Sequence, residues 1–262
     1  MLEGLFRLAL HVMYKLKKSL GQHFLKDELI IARIVDSLKT EQFSRLLEVG
    51  PGGGALTKEL IKLKDVELKA VELDDEKAIT LVEKYPALRG RVANEDFLES
   101  KQPFDDPFVI IGNFPYNIST QILFKILDWK DSVPVVIGMF QKEVAERAAA
   151  APGSKIYGVL SALIQPYYAI EYLFDVPPGS FTPPPKVMSG VIKLTRKPAM
   201  LDVKSERAYW VLVKTAFNQR RKTMRNAVKS LFTPETLQEE LFNKRAEVLS
   251  IEDFAALTHR MI

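Results

Sequence analysis

Short apolar runs alternate with segments of helical periodicity from Arg45 to Lys193, and this alternation restricts the fold more than any other feature of the chain. The apolar runs have the length and composition of buried strands, whereas the segments between them repeat apolar residues at the spacing of an amphipathic helix. Such alternation is typical of βαβ units around a parallel sheet. The strand-like runs with the helix-like segments that follow them are LLEV with ALTKELIKL, VELKAVEL with DEKAITLVEKY, PFVIIGN with ISTQILFKILDW, and VPVVIGMF with QKEVAERAAA.

The pattern changes towards the end of this region. AIEYLFDV and KVMSGVIKLT are separated by the proline-rich PPGSFTPPP rather than by a helix, which predicts an antiparallel end to the sheet. After Lys197-Pro198 the strand-like runs stop, and the remaining segments SERAYWVLVKTAFNQ, KTMRNAVKSLF, PETLQEELF and IEDFAALTHR are helix-like. We therefore predict an N-terminal extension (1–14), a Rossmann-like α/β domain (15–198) and a small all-α C-terminal domain (199–262).

Composition excludes several classes of protein. The 262 residues contain no cysteine, which excludes a disulfide scaffold, thiolate zinc sites and a cysteine nucleophile, and suits a reducing cytoplasm. With three histidines, a histidine-based metal site is improbable. No run of about 18 apolar residues occurs, so we expect no contact with a membrane interior. The first twenty residues are apolar and then basic, the reverse of a secretory signal. They form either an extension, with Met13 as the true start, or a helix packed on the domain.

A glycine-rich segment follows the first predicted strand and opens a helix. From Glu48 to Ala55 it reads EVGPGGGA, so that Gly50 and Gly52 let the backbone approach a ligand closely. The spacing fits a dinucleotide fingerprint with an acid twenty residues on at Glu72, but a second cofactor class shares this layout. The carboxylate of Glu48 would repel a pyrophosphate, whereas it suits the ammonium and sulfonium charges of S-adenosyl-L-methionine. The alternatives are an ordinary tight turn and a solvated strand end.

Two further acids stand where predicted strands end. Glu72, in VEL, is placed to accept hydrogen bonds from both ribose hydroxyls of a nucleoside. Asp96 follows the weaker strand RVAN and could accept from an adenine amino group. Each alone reads more readily as a surface carboxylate. Together with Glu48 they would fall on one edge of the sheet, where open α/β folds bind ligands, so we predict a cofactor site there.

The segment Asn113-Phe114-Pro115-Tyr116 ends another predicted strand at the same edge. Pro115 holds Phe114 extended and directs its carbonyl outward, and the Asn113 amide supplies a second acceptor beside it. Two converging acceptors suit an exocyclic amine, whose lone pair would then attack the sulfonium methyl directly, while Tyr116 stacks on the base. The alternative is a Pro-Tyr turn that only caps the strand.

A second aromatic candidate lies in GSFTPPPKV. The prolines stiffen this loop, so we expect Phe181 to be presented at a fixed place, covering the other face of the target base, with Lys186 near a phosphate. The alternatives are a hydrophobic plug at the sheet edge for Phe181 and a solvated side chain for Lys186.

Basic residues cluster although the formal net charge is only +4. The stretch from Lys214 to Lys229 has six basic residues and no acidic one, and Lys15, Lys17 and Lys18 form a second group. Such clusters bind phosphates without reading sequence, although a solvated helix face is the alternative. The residues we assign to RNA contacts are Lys186, Arg220, Arg221, Lys222 and Arg225.

Seven motifs together resemble the ribosomal RNA adenine N6-dimethyltransferases, most closely the bacterial small-subunit type, over roughly residues 15–262. These motifs are KKSLGQHFLKD, EVGPGGGALT, VELD, EDFL, GNFPYNIS, MFQKEVAER and FTPPPKVMSGV. The resemblance implies a class I methyltransferase sheet with a helical RNA-binding domain, S-adenosyl-L-methionine as cofactor, and dimethylation of two adjacent adenosines in a 3′-terminal hairpin of 16S rRNA in an assembling small subunit. The cofactor contacts it implies are His23, Leu25, Gly50, Glu72, Asp96 and Asn113.

The chain departs from this family pattern at two positions. It has His23 where many relatives have Asn, and Phe114 where many have Leu. At His23, a contact with the cofactor through the main chain or a ring nitrogen would survive the change from Asn. At Phe114, the predicted role belongs to the backbone carbonyl, so the change of side chain does not affect it. The segment containing Gln22 would fold over the mouth of the cofactor site. His23 as a proton shuttle is the less supported alternative.

Two other functions stay open, and a third, a dehydrogenase, is disfavoured. The chain could methylate large-subunit ribosomal RNA, like the antibiotic-resistance branch of the superfamily, although its GSFTPPPKV loop and helical tail favour the small-subunit branch. It could be a non-catalytic RNA-binding or assembly protein on a methyltransferase fold. A dehydrogenase would leave the segment from Asn113 to Tyr116 without a role. We expect a monomer, because no obvious dimer helix is present.

Overall fold

The computed structural model describes residues 23–199, 201–219 and 221–262. Its strands are β1 (Phe24–Leu25), β2 (Arg45–Val49), β3 (Glu67–Glu72), β4 (Val92–Asn94), β5 (Val109–Asn113), β6 (Val135–Gln141), β7 (Tyr168–Val176), β8 (Phe181–Thr182) and β9 (Ser189–Arg196). Its α-helices are α1 (Glu28–Asp36), α2 (Thr57–Leu60), α3 (Asp75–Lys84), α4 (Ser119–Asp128), α5 (Lys142–Ala149), α6 (Val159–Ile164), α7 (Glu206–Asn218), α8 (Met224–Ala227) and α9 (Ile251–Thr258).

The described residues form a seven-stranded sheet in the order β4-β3-β2-β5-β6-β9-β7. Strands β2 to β6 run parallel to one another, while β9 is antiparallel to both β6 and β7. The predicted parallel α/β sheet with an antiparallel end is therefore confirmed. The chain moves outward from β2 to β4 on one side and from β5 to β6 on the other, so the strand order reverses between β2 and β5. Open sheets of this kind bind ligands at such a reversal.

Helices cover both faces of this sheet. Neighbouring side chains of a strand point to opposite faces, so Leu46 joins the cluster that includes α1 and Leu47 joins the cluster that includes α4. Burial of α1 through Ile30, Ile31 and Ile34 follows from its amphipathic spacing. Because both faces are covered, the central strands are nearly continuous apolar runs, as buried parallel strands require.

A second, two-stranded sheet joins the start of the described chain to the proline-rich loop. Strand β1 pairs antiparallel with β8, which places Leu25 opposite Phe181. Asp27 caps α1 by accepting from the backbone N–H groups of Leu29 and Ile30, and it also accepts a hydrogen bond from the Ser180 hydroxyl. These contacts hold the loop after β7 against the beginning of α1.

The C-terminal part is less helical than the sequence predicts. Helices α7 and α9 match SERAYWVLVKTAFNQ and IEDFAALTHR, but KTMRNAVKSLF contains only the one-turn α8, and PETLQEELF forms short 3₁₀ turns at Thr236–Gln238 and Glu240–Asn243. The last strand ends at Arg196 and the next helix begins at Glu206, on either side of the predicted boundary. In the part of the chain that the structure covers, none of the helices has the length and apolar character needed to cross a membrane.

Candidate active site

The parallel strands deliver their polar ends to one pocket. Glu48, Glu72 and Asn113 stand at or beside the carboxyl ends of β2, β3 and β5, and Asp96 follows β4. All four line the same pocket, together with His23, Leu25, Gly50, Gly52, Phe114 and Tyr116. The predicted grouping of three acids and the Asn-Phe-Pro-Tyr segment at one sheet edge is therefore what the structure contains.

The glycine-rich turn after β2 forms one wall of this pocket. Gly50 and Gly52 have positive φ angles of 67° and 53°, which glycine adopts without the steric cost that other residues carry. The backbone N–H of Gly52 donates to Glu72 Oε2 at 2.9 Å. The turn is thus held to the end of the neighbouring strand, and it leaves room for a ligand along its backbone.

Glu48 is a buried carboxyl group, with 1% of its surface exposed. Its Oε2 accepts a hydrogen bond of 2.6 Å from the Thr57 hydroxyl at the start of α2. Burial raises the pKa of Glu48 to about 7, and the hydrogen bond from Thr57 opposes this rise without cancelling it. A cation bound beside Glu48 would relieve the cost of its buried charge, so the site suits a positively charged ligand.

Glu72 and Asp96 have part of their accepting capacity occupied by the backbone. Glu72 accepts from the N–H groups of Gly52 and Asp74, one at each carboxylate oxygen. Asp96 Oδ1 accepts from the N–H of Leu98 at 2.8 Å. Each carboxylate oxygen carries a further lone pair, so both side chains are held in place and can still accept from a ligand. With Glu48, they present three carboxyl groups to this one pocket.

Asn113 is oriented by the chain segment that precedes α1. Its Nδ2 donates to the backbone carbonyl of His23 at 3.3 Å, so the side-chain oxygen is the group left to accept from a ligand. The ring of His23 is held in turn, because its Nδ1 lies 2.7 Å from the carbonyl oxygen of Pro183. His23 therefore connects the proline-rich loop to the end of β5.

Phe114 has its ring in the core and its backbone at the pocket. The ring is buried against Phe140, with 4.9 Å between ring centroids. The N–H of Phe114 donates to the carbonyl of Met139 on β6. This backbone hydrogen bond continues the β5–β6 pairing past Asn113. Because the side chain serves only packing, the contribution of Phe114 to a ligand is limited to its main chain.

Tyr116 lines the pocket with a half-buried ring. Its hydroxyl lies 2.5 Å from the Ser189 hydroxyl, and its ring centroid lies 5.9 Å from that of His23. Burial raises the pKa of Tyr116 above its ordinary value, so the phenol is neutral at physiological pH. A neutral aromatic face at this position can stack on a planar base.

The prediction that Phe181 covers the other face of the target base is wrong in this structure. Phe181 is 1% exposed, and its ring belongs to the hydrophobic cluster that packs one face of the sheet. Because β8 pairs with β1, the Phe181 side chain is directed into the core together with that of Leu25. The alternative interpretation, a hydrophobic plug at the sheet edge, describes its place.

Two exposed apolar residues of the pocket were not among the residues predicted from the sequence. Phe24 and Leu73 are 39% and 49% exposed, and both line the pocket. The Phe24 ring lies within 3.6 Å of where a Cβ on Gly52 or Gly53 would stand. Leu73 directly follows Glu72, and an apolar residue beside an acid predicted to bind a ribose is the signal that could have revealed it.

The residues assigned to RNA separate into two groups. Lys186, Arg221 and Lys222 are exposed, as phosphate contacts require. Arg225 is different, because its guanidinium donates to the carbonyl oxygens of Leu237 and Gln238. Part of its donor capacity is therefore used within the chain, and its assignment as a phosphate contact stays a prediction. The other predicted basic residues, Arg220, Lys15, Lys17 and Lys18, lie outside the described residues.

Comparison with known proteins agrees with this site. The family model described as ribosomal RNA adenine dimethylase matches residues 13–261. A protein of Flavobacterium johnsoniae named ribosomal RNA small subunit methyltransferase A is 49% identical, over 94% of this chain and 96% of its own length. The protein of the same name from Bacteroides thetaiotaomicron is 50% identical, over 94% of each chain.

Solved structures of similar fold include two RNA methyltransferases. A dimethyladenosine transferase of Plasmodium falciparum superimposes with a TM-score of 0.74 at 26% identity, covering 88% of this chain and 94% of its own. The 23S rRNA methyltransferase ErmE gives a TM-score of 0.69 at 25% identity, covering 91% and 99%. The family model spans almost the whole chain and the relatives are about half identical. The chain therefore belongs to the ribosomal RNA adenine dimethylases, a family of methyltransferases that take the methyl group from S-adenosylmethionine.

Proposed function

We propose that the protein dimethylates N6 of two adjacent adenosines in a 3′-terminal hairpin of 16S rRNA while the small ribosomal subunit is assembled. The observation that carries this proposal is the orientation of Asn113, whose amide nitrogen donates a hydrogen bond to the His23 carbonyl. The amide oxygen is then an acceptor in a pocket that also contains the buried carboxyl of Glu48. Relatives about half identical to this chain carry the small-subunit name.

The cofactor would be held by the strand-end acids and the glycine turn. Glu72 and Asp96 accept from its ribose and adenine, Glu48 compensates its positive charge, and Phe24 and Leu73 supply apolar contacts. When bound, S-adenosylmethionine supplies a methyl group on a sulfonium, which departs as S-adenosylhomocysteine when a nitrogen lone pair attacks. The chain contributes no nucleophile, so its part is positioning and electrostatic fit.

The target amine would be held by two acceptors on this chain. The Asn113 side-chain oxygen and the Phe114 carbonyl each accept one N–H of the adenine amino group, which concentrates the lone pair on nitrogen. Tyr116 stacks on the base, a contact that contributes roughly 1–3 kcal/mol. After methyl transfer the nitrogen is strongly acidic and loses its proton to water, so no side chain is assigned as general base.

The proposed partner is RNA within a pre-ribosomal particle in the cytoplasm, and the enzyme acts as a monomer. Exposed Lys186, Arg221 and Lys222 would neutralise phosphates without reading the sequence. The adenines themselves would be selected by the pocket. This division of work is common in nucleic-acid recognition, where phosphate contacts set position and base contacts set specificity.

A methyl-transfer assay tests the function and the two-acceptor arrangement together. With labelled S-adenosylmethionine and immature small subunits that lack the modification, we expect label on adenine N6. Asn113→Ala should abolish turnover, because it removes one of the two acceptors, while cofactor binding measured by calorimetry is weakened but detectable. The matched control is Asn243→Ala, an exposed asparagine outside the pocket, which should keep full activity.

The outcomes separate the alternatives. Label on large subunits but not on small ones would support the large-subunit alternative. Folded wild-type enzyme that labels neither would contradict the proposal, and unchanged turnover of Asn113→Ala would contradict the two-acceptor arrangement. If a catalytically inactive Asn113→Ala fully rescued a strain that lacks the enzyme, a role in assembly without catalysis would be favoured.

A further inference from the structure

The antiparallel strand at the end of the sheet brings a serine to the reacting edge. Strands β2 to β6 end at this edge, whereas β9 begins there because it runs in the opposite direction. Its first residue, Ser189, pairs with Gln141, the last residue of β6. The topology therefore delivers Ser189 to the level of the pocket, although no feature of the known chemistry requires a serine there.

Ser189 is completely buried, and its hydroxyl lies 2.5 Å from the Tyr116 hydroxyl. Tyr116 is half-buried and lines the pocket with its ring. The tip of the ring is thus held inside the protein, while the ring itself borders the space a base would occupy. Either hydroxyl can donate to the other, so the hydrogen bond forms with Tyr116 as the donor or with Ser189 as the donor.

We propose that Ser189 is a positioning residue, whose hydroxyl anchors the tip of Tyr116 and so sets the plane of the ring on which the target adenine stacks. The proposal rests on the proposed function, since it assumes that Tyr116 stacks on the base. Ser189 would not contact the base or the cofactor. Its effect would be to fix the orientation of the Tyr116 ring before the base binds, so that binding does not carry the entropy cost of ordering this side chain.

The surroundings of Tyr116 explain why such an anchor is needed. Tyr116 begins a short 3₁₀ turn directly after Pro115, which has no backbone N–H to tie this point to the sheet. The neighbouring ring of His23 tilts against Tyr116 at an interplanar angle of 32° but does not hold its tip. The hydrogen bond to Ser189 connects the end of the side chain to the first residue of β9, a strand paired on both sides within the sheet.

A double-mutant cycle tests the proposal. Ser189→Ala and Tyr116→Phe remove the same hydrogen bond from opposite sides and keep the aromatic ring. We expect each to lower kcat/KM for immature small subunits by about three- to tenfold, the effect of one hydrogen bond, and the double variant to lose no more than either single one. Cofactor affinity measured by calorimetry should stay unchanged in all three.

Several results would overturn it. Full activity of Tyr116→Phe, or additive losses in the double variant, would show that Ser189 acts independently of Tyr116. The first of these outcomes can be measured even if Ser189→Ala fails to fold. The matched control is Ser161→Ala, another completely buried serine, which lies outside the pocket. It should lower stability without changing kcat/KM per folded molecule.

The failure of the proposed function would look different. Wild-type enzyme would then leave adenine in the small subunit unlabelled, before any variant is compared. If the wild type labels small subunits but Tyr116→Ala is as active as the wild type, stacking on Tyr116 and the positioning role of Ser189 are both excluded, while the dimethylation itself stands.

Discussion

At the scale of single residues, Glu48 links the stability of the fold to its ligand. The carboxyl is enclosed by β2 and α2 and has the Thr57 hydroxyl as a hydrogen-bond partner. Its pKa of about 7 lies above the ordinary value of 4.5. Between these two pH values the folded protein therefore keeps a proton on Glu48 that the unfolded chain releases. A buried acid of this kind is kept at a cost in stability, because its charge is needed when a cation is bound.

The first prediction concerns the pH dependence of folding without cofactor. Between pH 4.5 and 7 the folded state binds more protons at Glu48 than the unfolded state, so its contribution to the free energy of unfolding falls as pH rises, by about 3 kcal/mol in total. Glu48→Gln should remove this decrease and make the apo-protein more stable at pH 8. Urea denaturation at several pH values measures it.

Glu41→Gln is the control for this measurement. The hydrogen bond from Lys193 lowers the pKa of Glu41, so this carboxylate contributes stability that is lost as pH falls through its folded-state pKa. The two variants should change the pH profile in opposite senses. Identical profiles for wild type and Glu48→Gln would contradict the burial of a raised-pKa carboxyl.

At the scale of elements, the close approach of β2 and β5 depends on a glycine. A Cβ on Gly112 would stand 2.6 Å from the carbonyl oxygen of Val49 and 2.9 Å from the Phe114 ring. The carbonyl oxygen belongs to the neighbouring strand and cannot rotate away as a side chain would. The pairing that carries Asn113 to the pocket therefore leaves no room for a side chain at this position.

The second prediction follows from this contact. Gly112→Ala should lower the free energy of unfolding by about 1–3 kcal/mol, the usual cost of overpacking, and should reduce kcat because Asn113 is the next residue. Gly179→Ala is the matched control, since a Cβ there meets no atom within 4 Å. Thermal unfolding and the methyl-transfer assay measure both. A stable, fully active Gly112→Ala would show that the strands separate without cost.

At the scale of the whole molecule, the C-terminal helices share a core with the sheet domain. Tyr157, before α6, packs with residues of α7 and α9 such as Phe217 and Phe254. The hydroxyl of Tyr157 is buried and finds no hydrogen-bond partner among the described residues. The contact between the two parts of the chain therefore contains a polar atom whose desolvation is not compensated.

The third prediction is that Tyr157→Phe raises stability. Removing an unsatisfied buried hydroxyl should increase the free energy of unfolding by about 1 kcal/mol. Tyr209→Phe is the matched control in the same core, because the Tyr209 hydroxyl donates to the Ala162 carbonyl at 2.9 Å. That variant should be less stable by a similar amount. If urea denaturation shows a lower free energy of unfolding for both Tyr157→Phe and Tyr209→Phe, the Tyr157 hydroxyl has a hydrogen-bond partner and the prediction is wrong.

The fourth prediction concerns the RNA surface as a whole. Arg221 is exposed, whereas Arg225 is engaged by the backbone carbonyls of the following turn. Arg221→Ala should weaken RNA binding and reduce the log–log salt slope by about 0.7 if the contacted strand is single, without changing stability. Arg225→Ala should instead lower stability by about 1 kcal/mol. Filter binding at several salt concentrations measures the effect on RNA binding, and thermal unfolding measures the effect on stability. Equal salt slopes for Arg221→Ala and Arg225→Ala would contradict the different roles predicted for these two residues.

The sequence alone was enough to predict the parallel α/β sheet, its antiparallel end and the residues at its ligand edge. Each of these is a local pattern, such as an apolar run, a glycine turn or a polar residue after a strand, and topology then places strand ends together whatever the details of packing. Glu48, Glu72, Asp96 and Asn113 were found in this way.

Only the tertiary structure decided where side chains point and what they contact. Phe181 turns into the core because β8 pairs with β1, Arg225 is occupied by carbonyl groups twelve residues or more away, and Ser189 meets Tyr116 across 73 positions of the chain. The segment KTMRNAVKSLF looks helical by periodicity, yet it forms only one α-turn. Such outcomes depend on contacts between distant segments, and no local pattern of residues encodes them.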